Sequence, residues 1–244
     1  MPGGYGGIGE AITWALALAG AKVAVSGRDP RKAEALAGTL AASGHSALGV
    51  AMDAHSVEDI RTSVDAVAAH WGRLDVLVNC IGMQREQALL EVTEETFDEM
   101  LTVNLKSAMF LAQAAAKHQI AGGRGGAQVH LLSVRAQLGL RGRGYSAYCS
   151  TKGGLVMLIR QHASELAPHG ITVNGIAPTV VRTEMASHWL ENPQTRAQVL
   201  DRIPLGRVAD PKDVAGAALF FAGPGATFIT GQVLYIDGGI TASQ

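Results

Sequence analysis

Cysteine is nearly absent: Cys80 and Cys149 are the only two in 244 residues. One follows a predicted strand and the other sits in a predicted helix. No structural disulfide is therefore expected, and a reducing, cytoplasmic setting is. Long apolar runs are missing as well. None approaches the ~20 residues that cross a bilayer, and Met1-Pro2-Gly3-Gly4 does not read as a signal peptide, so no membrane partner is expected. Neither sign of charge is in surplus, since 20 Lys and Arg face 21 Asp and Glu for a formal charge of -1. A nucleic-acid backbone finds no basic field to bind. No repeat, second domain or low-complexity tail stands out, and no metal site is expected.

What remains is apolar and rich in turns, with 48% hydrophobic residues and 30 glycines. Strand-like runs at about 22–26, 47–52, 74–78, 128–132, 171–176 and 232–236 alternate with helical patterns. Such alternation implies one parallel sheet covered on both faces, a doubly wound, Rossmann-type α/β domain over residues 1–244. A polar segment at about 183–205 reads as a substrate lid. Near the start, two glycine registers fit a dinucleotide loop, Gly4-x-Gly6-x-x-Gly9 and Gly3-x-x-x-Gly7-x-Gly9. The helix that follows would turn free amides and a positive dipole end towards a pyrophosphate. Such a loop normally leaves a buried strand, and no strand precedes Gly3. The N-terminal central strand is thus expected to be missing, through a start clipped from upstream or a slot filled by another segment. The next strand ends in Gly27-Arg28-Asp29. An arginine there suits the 2′-phosphate of NADP, whereas a carboxylate suits the ribose diol of NAD. Arg28 favours NADP; Asp29, twenty residues after Gly9, keeps NAD open.

The stretch from Ser133 to Lys152 carries the chemistry. Tyr148 and Lys152 are four apart, hence side by side on a helix. A lysine cation there favours the phenolate and brings a tyrosine towards a working pKa. Ser133 ends the apolar run Val129-His130-Leu131-Leu132, so its hydroxyl can face the same site from a strand tip.

These pieces fall in the order of a known family. Gly3-Gly4-Tyr5-Gly6-Gly7-Ile8-Gly9 is similar to a Thr-Gly-x-x-x-Gly-Ile-Gly loop, and Asn79-Cys80-Ile81-Gly82 stands where the family has Asn-Asn-Ala-Gly. Asn104 matches a helix asparagine. Ser133, Tyr148 and Lys152 match the catalytic set, and Pro178-Thr179-Val180-Val181-Arg182-Thr183 matches a Pro-Gly-x-x-x-Thr segment. Over nearly its whole length the chain resembles the short-chain dehydrogenase/reductases. The resemblance implies hydride exchange between a nicotinamide cofactor and a secondary alcohol or ketone. Tyr148 would be the acid or base, Ser133 would polarise the substrate oxygen, Lys152 would tune the tyrosine and hold the ribose, and Asn104 would kink its helix and hold a relay water. Cofactor contacts would come from Gly3, Tyr5, Gly7, Ile8, Gly9, Arg28, Asp53, Ala54, Asn79, Gly82, Tyr148, Lys152, Pro178, Val181 and Thr183. In the family register, Gly27 holds the place of the ribose acid.

The chain also departs from the pattern. Cys80 and Ile81 replace Asn and Ala. Tyr148 follows Ser133 by fifteen positions (148 − 133), two more than the usual gap, and the surplus fits Leu140-Arg141-Gly142-Arg143-Gly144. Gly82-Met83-Gln84-Arg85 looks similar to the gluconate 5-dehydrogenase-like branch. A sugar acid or polyol is the substrate this implies, with Arg85 and Arg135 to meet a carboxylate and His188 in the lid. A 3-oxoacyl reductase is the alternative. From another class, a catalytically idle dinucleotide-binding regulatory protein is favoured by the missing strand and opposed by the intact Ser-Tyr-Lys-Asn set. A homotetramer is expected, as in most relatives, with Phe110, Leu111, Leu155, Met157 and Leu158 pairing between subunits.

Overall fold

The computed structural model describes residues 1–243, the side chains of Met185 and His188 excepted. Six strands and nine α-helices follow one another among the described residues: α1 (Gly7–Leu18), β1 (Val23–Gly27), α2 (Pro30–Ala42), β2 (Ala47–Ala51), α3 (Val57–Trp71), β3 (Val76–Asn79), α4 (Glu94–Leu101), α5 (Ser107–Gly122), β4 (Gly126–Leu131), α6 (Ser146–Leu166), β5 (Ile171–Pro178), α7 (Ser187–Glu191), α8 (Pro193–Asp201), α9 (Pro211–Ala222) and β6 (Val233–Ile236). Every pairing is parallel, and crossover helices bury both faces, as expected.

The sheet runs in two sections, β1-β2 and β3-β4-β5-β6. Residues Met1–Gly3 lie between them. Pro2 bridges Ser26 in parallel, Gly3 N–H donates to the Ser26 carbonyl at 2.8 Å, and Cys80 N–H donates to the Pro2 carbonyl at 2.9 Å. Three residues thus tie the two sections together at their carboxyl ends, where the glycine loop begins. Below that junction Ala24, Ser63, Val67 and Leu74 line a small cleft between β1 and β3.

Local sequence explains the helix boundaries. Asp29, Ser56, Thr93 and Asn192 each cap a helix by accepting a backbone N–H from its first turn. The cap at Ser56 differs from the reciprocal pair that its spacing suggests. Ser56 accepts from Asp59 N–H at 3.1 Å, but the Asp59 carboxylate accepts instead from Asp53 N–H, which fixes the chain beside the cleft. A full capping box forms at Asp210 and Asp213.

One face of the sheet is packed by α1, α2 and α9, with Ile12, Leu40 and Val214 wholly buried. The other is packed by α3, α5 and α6, around Ile60, Leu111, Leu155 and Ile159. Truncating any one of these Ile or Leu side chains to alanine costs about 2–5 kcal/mol. Leu111 at 0% and Leu155 at 1% exposure are therefore core residues, which corrects their placement in a subunit interface. The helix that carries Asn104 changes pitch at Thr102–Lys106, where the backbone takes a π turn centred on Asn104.

Candidate active site

A cleft of about 730 Å³ opens at the carboxyl ends of β1, β3, β4 and β5, the place where an open α/β sheet binds ligands. Its floor is the glycine loop. Gly3 has φ +72°, and a Cβ there would stand 2.9 Å from the Cys80 carbonyl carbon. At Gly9 a Cβ would collide with the Gly3 carbonyl oxygen. Only glycine lets the loop fold this close to β3 and still open α1 towards the cleft. The backbone path and helix terminus fit a pyrophosphate, the cradle a dinucleotide requires. Of the expected cofactor contacts, all but one line this cleft. Asn79 is the exception. It is 2% exposed and lies behind the wall, accepting from Ile81 N–H at 3.0 Å and donating its Nδ2 to His130 Nδ1 at 3.4 Å. Its side chain holds the turn after β3 and does not reach the cleft.

At the adenosine end, the Asp53 carboxyl is held below the usual carboxylate range, first by the His55 backbone N–H, then by the His55 ring and, more distantly, by Arg28. Arg28 faces the cleft. Asp29 does not line it: its carboxylate caps α2 by accepting from Arg31 N–H at 3.0 Å. The carboxylate that the sequence offered for a ribose diol is therefore engaged in holding a helix.

Ser133 leaves β4 in an extended conformation (φ -166°, ψ 158°) and caps the single helical turn Val134–Ala136. Burial pushes the Tyr148 phenol above its ordinary value, and the nearby Ser133 hydroxyl works against that shift. The two extra residues between Ser133 and Tyr148 do not separate them. The surplus forms an outward loop, where Arg143 pairs with Glu86 at 3.3 Å and the Gly144 carbonyl accepts from Gln87 N–H at 3.0 Å.

Lys152 is 3% exposed, and burial lowers its pKa to about 8. Its Nζ donates to the Leu131 carbonyl at 3.0 Å and lies 5.7 Å from the Tyr148 ring centroid. Asn104, like Asn79, is placed behind the cleft. Its Oδ1 accepts from Met83 N–H at 2.8 Å, while Nδ2 donates to the Met83 carbonyl at 2.9 Å and to Thr151 Oγ1 at 3.1 Å. A Cβ on Gly82 would sit between the Lys152 and Asn104 side chains, 3.3 and 3.9 Å away. The π turn thus locks the 82–85 segment against α6.

The substrate side is built from residues that sequence reasoning largely missed. Tyr145 stacks on Trp189 (6.3 Å, 15°) and meets Tyr148 edge-on at 6.2 Å. The Arg143 guanidinium lies over the Trp189 ring at 5.2 Å. Burial pushes the Tyr145 phenol up to about 12. Trp189 and Arg202 come from the expected lid segment, which folds as α7 and α8 over the cleft mouth. Of the three expected substrate contacts, Arg85 faces the cleft but pairs with Glu99 at 2.8 Å. Arg135 points its Nη1 at the carbonyls of Leu138 (3.2 Å) and Gly139 (2.6 Å), with no carboxylate partner among the described residues. The side chain of His188 lies outside the described residues.

A glycine-floored cleft over parallel strand ends, with serine, tyrosine and lysine converging on one point, defines a nucleotide-dependent oxidoreductase. The chain belongs to the short-chain dehydrogenase/reductase family: residues 4–241 match the family model described as enoyl-(acyl carrier protein) reductase. D-threitol dehydrogenase of Mycolicibacterium smegmatis is 38% identical over 242 residues, covering 99% of this chain and 91% of that protein. Gluconate 5-dehydrogenase of Gluconobacter oxydans is 32% identical, over 100% and 94%. The solved gluconate 5-dehydrogenase of Burkholderia cenocepacia, in complex with NADP and tartrate, superposes with a TM-score of 0.95 at 31% identity, covering 100% of this chain and 94% of that one.

Proposed function

We propose that this protein is an NADP-dependent oxidoreductase that interconverts a secondary alcohol and a ketone on a sugar acid or polyol. The observation that carries the reading is the meeting of Ser133, Tyr148 and Lys152 on one wall of the cleft, with the buried ammonium 5.7 Å from the Tyr148 ring centroid. The cofactor, bound along the glycine floor, supplies the hydride acceptor or donor. Tyr148 takes or returns the proton of the substrate hydroxyl, and Ser133 donates to the same oxygen. Lys152 steadies the phenolate by charge and reaches the ribose. Thr183, beside Gly7, and Val181 orient the nicotinamide end. Asn104 holds the 82–85 segment that backs Lys152, and from there it can seat a relay water. Arg28 at the adenosine end and the capping role of Asp29 support NADP over NAD. The relatives named for threitol and gluconate, and the solved neighbour with NADP, support the substrate class and cofactor.

The same reading makes the protein a cytoplasmic homotetramer with its segment at 183–205 closing over substrate. Both cysteines are free, and no helix among the described residues is long and apolar enough to cross a membrane. Met157 at 58% exposure and Met109 at 38% leave apolar surface on α5 and α6 for a second copy. Light scattering at micromolar protein tests the assembly, and a monomer counts against it. Nicotinamide absorbance with a panel of polyols, sugar acids and 3-oxoacyl thioesters tests the activity. Turnover of the thioesters alone overturns the substrate class, and no turnover on any of them leaves only nucleotide binding.

A further inference from the structure

At the end of β1, residue 27 is glycine, and the space its side chain would need is already taken. A Cβ on Gly27 would lie 2.6 Å from the Tyr5 hydroxyl oxygen and 2.7 Å from the ring carbon that bears it. Tyr5 belongs to the glycine loop, 22 positions upstream (27 − 5). Its ring is anchored there, because the hydroxyl accepts from Asp29 N–H at 3.1 Å. A phenol that accepts keeps its own hydrogen for a further acceptor. Both Tyr5 and Arg28 line the cleft, and Arg28 forms no ion pair among the described residues. The strand end that in this type of fold presents an acid to the ribose diol presents here a phenol hydroxyl and a guanidinium.

We infer that the Tyr5 ring stands in for the side chain residue 27 lacks, so that this site reads a 2′-phosphorylated ribose and shuts out the carboxylate that would hold an unphosphorylated one. The inference rests on the NADP reading and deepens it, by assigning selectivity to the coupled positions 5 and 27 in addition to Arg28. The coupling is steric in origin. An acidic side chain at 27 must push the ring aside and break its bond to Asp29, and it fits without cost only once the ring is gone. Tyr5 and Gly27 therefore change meaning together. Either residue altered alone spoils the site, whereas both altered together convert it.

Calorimetric titration of four proteins decides the matter without any turnover: the native chain, Tyr5→Ser, Gly27→Asp and the double variant. Adenosine 2′,5′-bisphosphate and adenosine 5′-monophosphate are the probes. The native chain should bind the bisphosphate at least about tenfold more tightly, the scale of one charge-assisted hydrogen bond. Tyr5→Ser should lose about fivefold of that preference, the scale of one neutral hydrogen bond. Gly27→Asp should bind both probes poorly. The double variant should bind the monophosphate about tenfold better than Gly27→Asp does, and prefer it. A native preference for the bisphosphate combined with additive effects of the two substitutions overturns the inference and leaves the NADP reading standing. A native chain with no preference overturns the NADP reading as well. Should Gly27→Asp not fold, Gly27→Ala with and without Tyr5→Ser reads the same coupling. The loss of bisphosphate affinity caused by Gly27→Ala must then shrink when Tyr5→Ser is also present, and an equal loss with and without Tyr5→Ser overturns the inference.

Discussion

Lys152 Nζ donates to the carbonyl oxygen of Leu131 at 3.0 Å. That bond joins the middle of α6 to the end of β4, two residues before Ser133, so a single ammonium both fixes the catalytic helix and charges the site. Burial lowers its pKa from 10.5 to about 8. An unfolded chain therefore holds more protons than the folded one between those values, and stability attributable to this group rises with pH across that window. Below about pH 8 the cost of the buried charge is fully present. Relative to Lys152→Met, the native chain should gain up to about 3 kcal/mol of unfolding free energy between pH 8 and 10.5. Urea titrations at the two ends of the window measure this, and a pH-independent difference between the proteins would show that Lys152 is not desolvated.

Tyr148→Phe removes the hydroxyl but keeps the ring packing against Tyr145. Turnover should fall by on the order of a hundredfold or more, the usual share of a positioned acid-base group, with cofactor affinity nearly unchanged. Steady-state rates and a cofactor titration on the same preparation check both halves. Near-normal turnover would remove Tyr148 from the chemistry.

Asn104 makes three hydrogen bonds from a site only 1% exposed. Asn104→Ala would take away the partner of the Met83 N–H and carbonyl, at a cost of up to about 1–3 kcal/mol for each group that water does not reach. The melting temperature should drop, and cofactor should bind more weakly because the 82–85 segment backs Lys152. A thermal melt with and without NADP reads the two effects. If stability falls while the shift on adding NADP is unchanged, Asn104 supports only the fold.

How much of this could be read from the sequence depended on how locally each feature is encoded. Tyr148 and Lys152 were legible because helix periodicity alone brings them together. Ser133 survived an abnormal gap because glycine-rich residues 140–144 can loop outward at no cost to the helix. The acid-or-arginine choice after β1 was half legible. Arg28 was visible, but Tyr5 filling the space above Gly27 joins positions 22 apart and leaves no periodic trace. Asn79 and Asn104 were found as motif residues, yet their place behind the cleft depends on tertiary hydrogen bonds to His130 and Met83. The Tyr145–Trp189 stack unites two segments that no sequence pattern links. The seam between β1 and β3 is likewise a tertiary matter. No local pattern says that Met1–Gly3 hydrogen-bonds to both sections at their carboxyl ends.

The two arginines offered for a substrate carboxylate, Arg85 and Arg135, differ in what they already hold. Arg85 is already paired with Glu99, so an incoming acid would have to break that ion pair. Among the described residues Arg135 has only backbone carbonyls as hydrogen-bond acceptors, in a half-buried position beside Tyr145 and Tyr148. A second cation, Arg202, lies near enough to oppose its charge. An anion placed between them relieves that repulsion and replaces lost solvent, a charge-assisted contact worth about 1.5–3 kcal/mol. Arg135→Ala should thus raise KM for a sugar acid by roughly tenfold to a hundredfold, and leave KM for the corresponding neutral polyol within about twofold. Arg85→Ala should affect both substrates alike, through the loosened 82–85 segment. Side-by-side kinetics of the two variants on the matched acid and polyol make the comparison. Equal losses for acid and polyol in Arg135→Ala would mean that this guanidinium serves only to hold the 138–139 backbone and is not the contact for a substrate carboxylate.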